Sequence, residues 1–173
     1  MLLSLLLGAV MGAEKPELPY VDKGACPFEC CTYRDWKTEK PVTLHAEPSL
    51  KSPVTAKIAA GMTVTAQTGA VITSSAGTVQ ILKPMKTAAR STGKPAEVSL
   101  KRGDAIYTLH GVGEGFVTSW YRGKIFDADL TDDTSSKTLT LPDYVWWAKI
   151  KTRDGKIGWT SQTRDFSNTD ACG

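Results

Sequence analysis

Apolar and polar positions alternate in short runs along most of this chain, and turn formers interrupt them about every 8–12 residues. Val42-Thr43-Leu44 alternates, Pro48 to Pro53 is rich in turn residues, and Val54 to Ile58 reads as a short strand. Gly61 opens a turn before a second alternating run, Met62 to Gln67. Val71 to Thr73 and Thr78 to Leu82 flank Ser74 to Gly77 as a hairpin pair. Lys83 to Pro95 is polar, carries Pro84, Gly93 and Pro95, and is expected to be a boundary or long loop. A second group of strands follows: Ala105 to Leu109, Gly115 to Tyr121 and Lys124 to Asp127. Tyr144 to Lys151 and Lys156 to Thr160 form the clearest hairpin. Its turn is Arg153-Asp154-Gly155, and Asp-Gly tolerates the positive φ of tight turns. Helical periodicity is never sustained, although Ser161 to Phe166 is expected to close a short 3₁₀ turn. The expectation is an all-β protein of the small-barrel or sandwich kind.

A weak internal echo runs through this pattern. Gly61 and Gly69 are eight residues apart, as are Gly103 and Gly111, with one apolar strand inside each pair.

The N-terminus differs from the rest. Met1 to Ala13 is an apolar run ending in small residues, followed by charged Glu14 and Lys15. It reads as a secretory signal and is too short to span a bilayer, which takes about 20 apolar residues. The protein is therefore expected to be exported, periplasmic or extracellular, and not membrane-spanning. Residues 14–40 follow as an extended, Pro-punctuated arm with Trp36 and three of the four cysteines, Cys26, Cys30 and Cys31; the fourth, Cys172, is next to last. An even cysteine count in an exported protein points to disulfides. Pairing the adjacent Cys30 and Cys31 closes a strained ring. Both other pairings join one arm cysteine to Cys172, so the two termini are expected to meet; which arm cysteine does so stays open. A zinc site from Cys26, Cys30, Cys31 and His45 is the rival, but its spacing fits no familiar zinc pattern.

Several of these segments together resemble the bacterial Src-homology-3-like domain family. The opening block is VTLHAEPSLKSPVTAKIAAGMTVTAQ, residues 42–67. The closing block is Trp147 to Lys151 followed by Asp154-Gly155-Lys156-Ile157-Gly158-Trp159-Thr160, and the middle block is residues 103–124. The two outer blocks lie some 75 residues apart, where one barrel of the family would hold about 20. Either two barrels stand in tandem or one barrel carries a large insertion. The tandem arrangement is the favoured expectation: signal 1–13, arm 14–40, barrels at 41–85 and 96–166, tail 167–173. By the resemblance, Gly158 permits close strand approach, and Trp159, Trp147 and Ile157 are core.

Adjacent aromatics on a strand face opposite ways, so the Trp146-Trp147 and Trp120-Tyr121 pairs each send one ring outward unless something covers it. Tyr107, Trp120, Tyr121, Tyr144 and Trp146 are the candidate ligand groove.

Composition narrows the chemistry. The protein has 173 residues, 41% of them hydrophobic, a net charge of +3 and only two histidines. That charge is too small and dispersed for a nucleic-acid binder. His45, after a strand, and His110, in a turn, are expected to be structural or exposed. The acidic segment Asp127 to Lys137 lacks the calcium-loop frame and is expected to be a solvated loop. Gly111 to Gly115 opens no helix, so it cradles no phosphate. No hydrolase or phosphate-loop frame is present. The expectation is a non-enzymatic binding module without metal or cofactor, taking cell-wall peptides or an envelope protein. The alternative is a secreted inhibitor or disulfide-stabilised structural domain acting through loop 127–141.

Overall fold

The structure is a computed structural model that describes residues 15–91 and 93–172; the expected signal, 1–13, lies outside the described residues. The strands of the first half are β1 (Tyr20–Lys23), β2 (Asp35–Thr38), β3 (Val42–His45), β4 (Val54–Ile58), β5 (Thr63–Ser75), β6 (Gly77–Ile81) and β7 (Met85–Ala88). Those of the second half are β8 (Glu97–Leu100), β9 (Ala105–Gly113), β10 (Phe116–Tyr121), β11 (Lys124–Asp129), β12 (Ser136–Thr140), β13 (Asp143–Lys151), β14 (Ile157–Thr160) and β15 (Phe166–Ser167). A single 3₁₀ turn, Thr163–Asp165, is the only helical element among the described residues. The protein is all-β.

The long strand β5 organises the fold. β13 pairs with it from Lys151 opposite Thr65 to Asp143 opposite Ser75. On its other edge β2 pairs with its first part and β1 with its last. The sheet continues from β13 through β14 and β3 to β4, with β15 outside β2. This eight-stranded sheet curls into a half barrel around Trp36, Val42, Leu44, Ile58, Val64, Ala66, Ala148, Ile150 and Phe166. The alternation in β5 explains the facing: Val64 and Ala66 are buried, while Thr63, Thr65 and Gln67 are exposed. The β13–β14 hairpin turns at Gly155, where φ is +86°.

A second sheet, ordered β11-β10-β9-β6-β12, covers Val79, Ile81, Val98, Leu100, Ile106, Phe126 and Ala128. β7 and β8 form a separate two-stranded ladder, tied to β11 by a bridge between Ala89 and Phe126.

The division into 41–85 and 96–166 does not follow these sheets. β3 to β5 lie in the first expected barrel and β13 and β14 in the second, yet they pair in one sheet. The segment from Gly77 to Thr140 leaves this sheet, builds the other, and returns. The reason lies in exposed edges: the closing hairpin finds its partners on β5 and β3, the strands of the opening block. Three local expectations change with this. The arm contains β1 and β2, the polar stretch after Lys83 contains β7, and loop 127–141 contains the end of β11 and all of β12.

Gly158 sits where β14 crosses β3. A Cβ there would collide with Thr55 Oγ1 and lie 2.8 Å from Leu44 Cβ and 2.9 Å from the His45 carbonyl. Trp147 is buried, but two other residues expected in the core are not. Trp159 is half-buried, with the Lys149 ammonium 5.8 Å from its ring centre, and Ile157 is exposed. The buried positions of β14 are Gly158 and Thr160, so Ile157 and Trp159 fall on the opposite face.

Candidate functional site

The four cysteines pair as Cys26–Cys31 and Cys30–Cys172, with Cα separations of 5.5 and 5.6 Å. Cys26, Cys30 and Cys31 are thus held in disulfides rather than gathered with His45, whose Nδ1 lies 2.9 Å from the Ser52 carbonyl. The first pair closes a tight loop that carries Pro27 and Phe28. The second ties that loop to the C-terminal segment, where the Ala171 N–H also donates to the Cys30 carbonyl (2.8 Å) and Arg34 Nε donates to the Asn168 carbonyl (3.1 Å).

This arm lies over β13. Phe28 meets Trp146 edge-on, ring centres 5.6 Å apart. Trp146 Nε1 donates to the Tyr33 hydroxyl at 3.1 Å, and Tyr33 in turn donates to the Ala25 carbonyl. Burial raises the Tyr33 phenol above its ordinary value of 10.0, keeping it a neutral donor; the Trp146 bond only partly offsets this. Trp36 lies beneath, 6.0 Å from Trp146 and 5.4 Å from Phe166. Gly69 leaves room for the arrangement: a Cβ there would collide with the Tyr33 hydroxyl and lie 2.8 Å from Trp146 Nε1. Trp146 shares the face of Ala148 and Ile150 and packs against the half-barrel core, with the arm over its partly exposed edge, while Trp147 is buried on the opposite face, edge-on to His45.

Between the arm and the 3₁₀ turn lies a cleft of about 710 Å³. Phe28, Tyr144, Trp146 and Phe166 supply its aromatic surface; Ser161, Gln162, Thr163 and Thr169 supply hydroxyl and amide groups; Arg164 supplies its one charge. Aromatic surface with a few polar groups at the rim is the usual lining of a ligand pocket.

The structure divides the five groove candidates. Tyr144 and Trp146 share this cleft. Tyr107, Trp120 and Tyr121 lie on the other sheet. Trp120 is buried directly opposite Tyr107, their rings 5.8 Å apart, and Tyr121 carries the Arg122 guanidinium 4.9 Å from its ring centre. Tyr107 and Trp120 thus pair across strands, while Tyr107 and Tyr121 remain half-buried. Phe28, Tyr33, Phe166 and Arg164 are not among the sequence candidates. Phe28 stands between Cys26 and Cys30, and an aromatic inside a cysteine-closed loop is the signal that points to it.

A second charged cluster joins β1 to the other sheet. Arg90 reaches Asp127 with two nitrogens (2.7 and 2.8 Å), Asp22 with a third contact (2.6 Å), and the Thr118 hydroxyl (2.7 Å). His110 lies in β9, not in a turn, and is fully buried. Its Nε2 faces Asp22 Oδ2 and its Nδ1 the Gly111 carbonyl, both at 2.9 Å. Burial works against the Asp22 carboxylate, but the hydrogen bonds from His110 and Arg90 and the Arg90 charge outweigh it and hold its titration below 3.8. The cluster thus fastens β1, at the root of the arm, to the second sheet. The acidic segment is likewise committed locally: Asp129 bonds Thr131, and Asp132, held to about 2 by Ser135 and Thr134, caps its own turn.

Neither a protein-family model, nor a curated protein, nor a solved structure matches this sequence.

Proposed function

We propose that this protein is a non-enzymatic, exported binding module of the bacterial Src-homology-3-like kind, holding a cell-wall peptide or an extended segment of an envelope protein. The observation that carries the reading is the cleft in which Tyr144 and Trp146 meet Phe28 of the cysteine-closed arm. Extended peptides suit it because their alternating side chains can use the aromatic wall while the rim hydroxyls and amide meet the peptide backbone. The pairing of the opening block with the closing block in one curled sheet supports the resemblance. Two disulfide pairs are compatible with an oxidising compartment, and no helix among the described residues is long and apolar enough to cross a membrane.

Retention on purified peptidoglycan tests this. Wild type should be retained, and Trp146→Ala and the more exposed Tyr144→Ala should both elute early. Equal retention of all three would remove the cleft from the function. A second reading, a secreted inhibitor acting through 127–141, has one observation in its favour. β12 is the outer strand of its sheet and presents exposed Leu139 and, just beyond it, Leu141. Charging both leucines (Leu139→Lys with Leu141→Lys) should leave wall retention unchanged on the first reading.

A further inference from the structure

Arg164, like Arg102 and Arg153, has no ion pair among the described residues, and its place in the arm cleft sets it apart from all the other arginines. Arg90 is saturated by Asp22, Asp127 and Thr118. Arg34 is spent on the carbonyls of Asn168 and Asp170, and Arg122 lies over Tyr121. Arg164 is exposed and makes no ion pair or side-chain hydrogen bond among the described residues. Its neighbour in sequence, Asp165, does not neutralise it, because that carboxylate already accepts from Gln162 Nε2 (3.2 Å) and faces Lys40 Nζ (3.5 Å). Arg164 is also the one charged residue among the eleven that line the arm cleft.

We propose that the cleft binds a peptide carboxylate, with Arg164 receiving the carboxylate and the Phe28, Trp146 and Phe166 surface receiving the apolar side chains next to it. This inference rests on the reading of the cleft as a peptide site. Its physical basis is charge complementarity. A ligand charge placed in this cleft meets a single cation and no lining anion, so a negative group gains where a positive one loses. A guanidinium presents a planar fork that matches a carboxylate with two parallel bonds, and such charge-assisted bonds are about twice as strong as neutral ones. The aromatic wall beside it removes water from one side and strengthens the pair. The carboxylate has two possible sources, the free C-terminus of the peptide or an acidic side chain.

The test uses the full-length oxidised protein and three N-acetylated apolar hexapeptides of matched sequence: one with a free C-terminal carboxylate, one amidated, and one amidated with an internal glutamate. Binding is read by tryptophan fluorescence and calorimetry. At least one carboxylate peptide should bind about 10-fold or more tightly than the neutral amide. That advantage should shrink as salt rises, vanish in Arg164→Gln and return in part in Arg164→Lys, with the neutral peptide unaffected. Whichever carboxylate peptide holds the advantage identifies the source. Equal binding of all three peptides to wild type overturns the carboxylate inference and leaves the peptide site standing. Binding of none overturns the peptide site itself. Arg164 is exposed, so the variants are expected to fold, and circular dichroism checks this.

Discussion

Removing the Cys30–Cys172 bond should destabilise the protein far more than removing Cys26–Cys31. The two bonds sit side by side but span 142 and 5 residues of sequence. In the entropic account of cross-linking, the stabilisation grows with the logarithm of the loop that is closed in the unfolded state. That gives about 5 kcal/mol for the long loop and about 2 kcal/mol for the short one. The folded state should change little. Without the bond the tail stays docked through the Cys31–Asp170 bridge, the Ala171-to-Cys30 hydrogen bond and Arg34. The effect therefore acts through the unfolded ensemble, and the double variant Cys30→Ser/Cys172→Ser should show a larger urea m-value as well as a lower midpoint. For a protein of this size the thermal midpoint should fall by about 10–20 °C. Urea and thermal unfolding of this variant, of Cys26→Ser/Cys31→Ser and of oxidised wild type decide it. Equal losses in the two variants, or an unchanged m-value in the long-loop variant, would refute the reasoning.

Two further perturbations follow from the packing and the charge cluster. Gly158→Ala places a methyl against Thr55 and Leu44 and should destabilise by about 1–3 kcal/mol in urea unfolding, with exchange of the β3 and β14 amides accelerated. Asp22 titrates lower when folded, so the stability it confers is present above about pH 4 and is lost as pH falls through the folded value. Asp22→Asn should thus lower stability at pH 7 by about 2 kcal/mol, reduced from the fully buried case because Arg90 is partly exposed. It should also flatten the decline between about pH 5 and pH 2, measured by urea unfolding across that range.

The strands were legible where alternation had a turn beside it. The β13–β14 hairpin was readable because Asp154-Gly155 fixes both its place and its partner. Pairing between distant segments was not readable. Nothing local in residues 143–160 says that their partners lie in 42–75 rather than in 105–127, because edge-strand hydrogen bonds carry no sequence code. The same limit split the aromatic candidates. Tyr107 and Trp120 look like surface rings in sequence and become each other's neighbours only through the β9–β10 register. The exposure of Ile157 shows the converse: a motif can suggest a buried residue, but strand parity decides which face it takes. For the cysteines, elimination left two pairings. The choice of Cys30 as the partner of Cys172 depends on how the arm turns at residues 26–31, where Cys30 adopts φ +55°.

The central claim is that the arm and the half barrel together form the ligand site. Hydrogen–deuterium exchange of the oxidised protein, with and without soluble peptidoglycan fragments, tests it most directly. Protection is predicted in the arm loop 26–31, at 144–146 of β13 and at 161–166 around the 3₁₀ turn. Protection confined to 105–121 or 136–140, or none at saturating fragment, would contradict it.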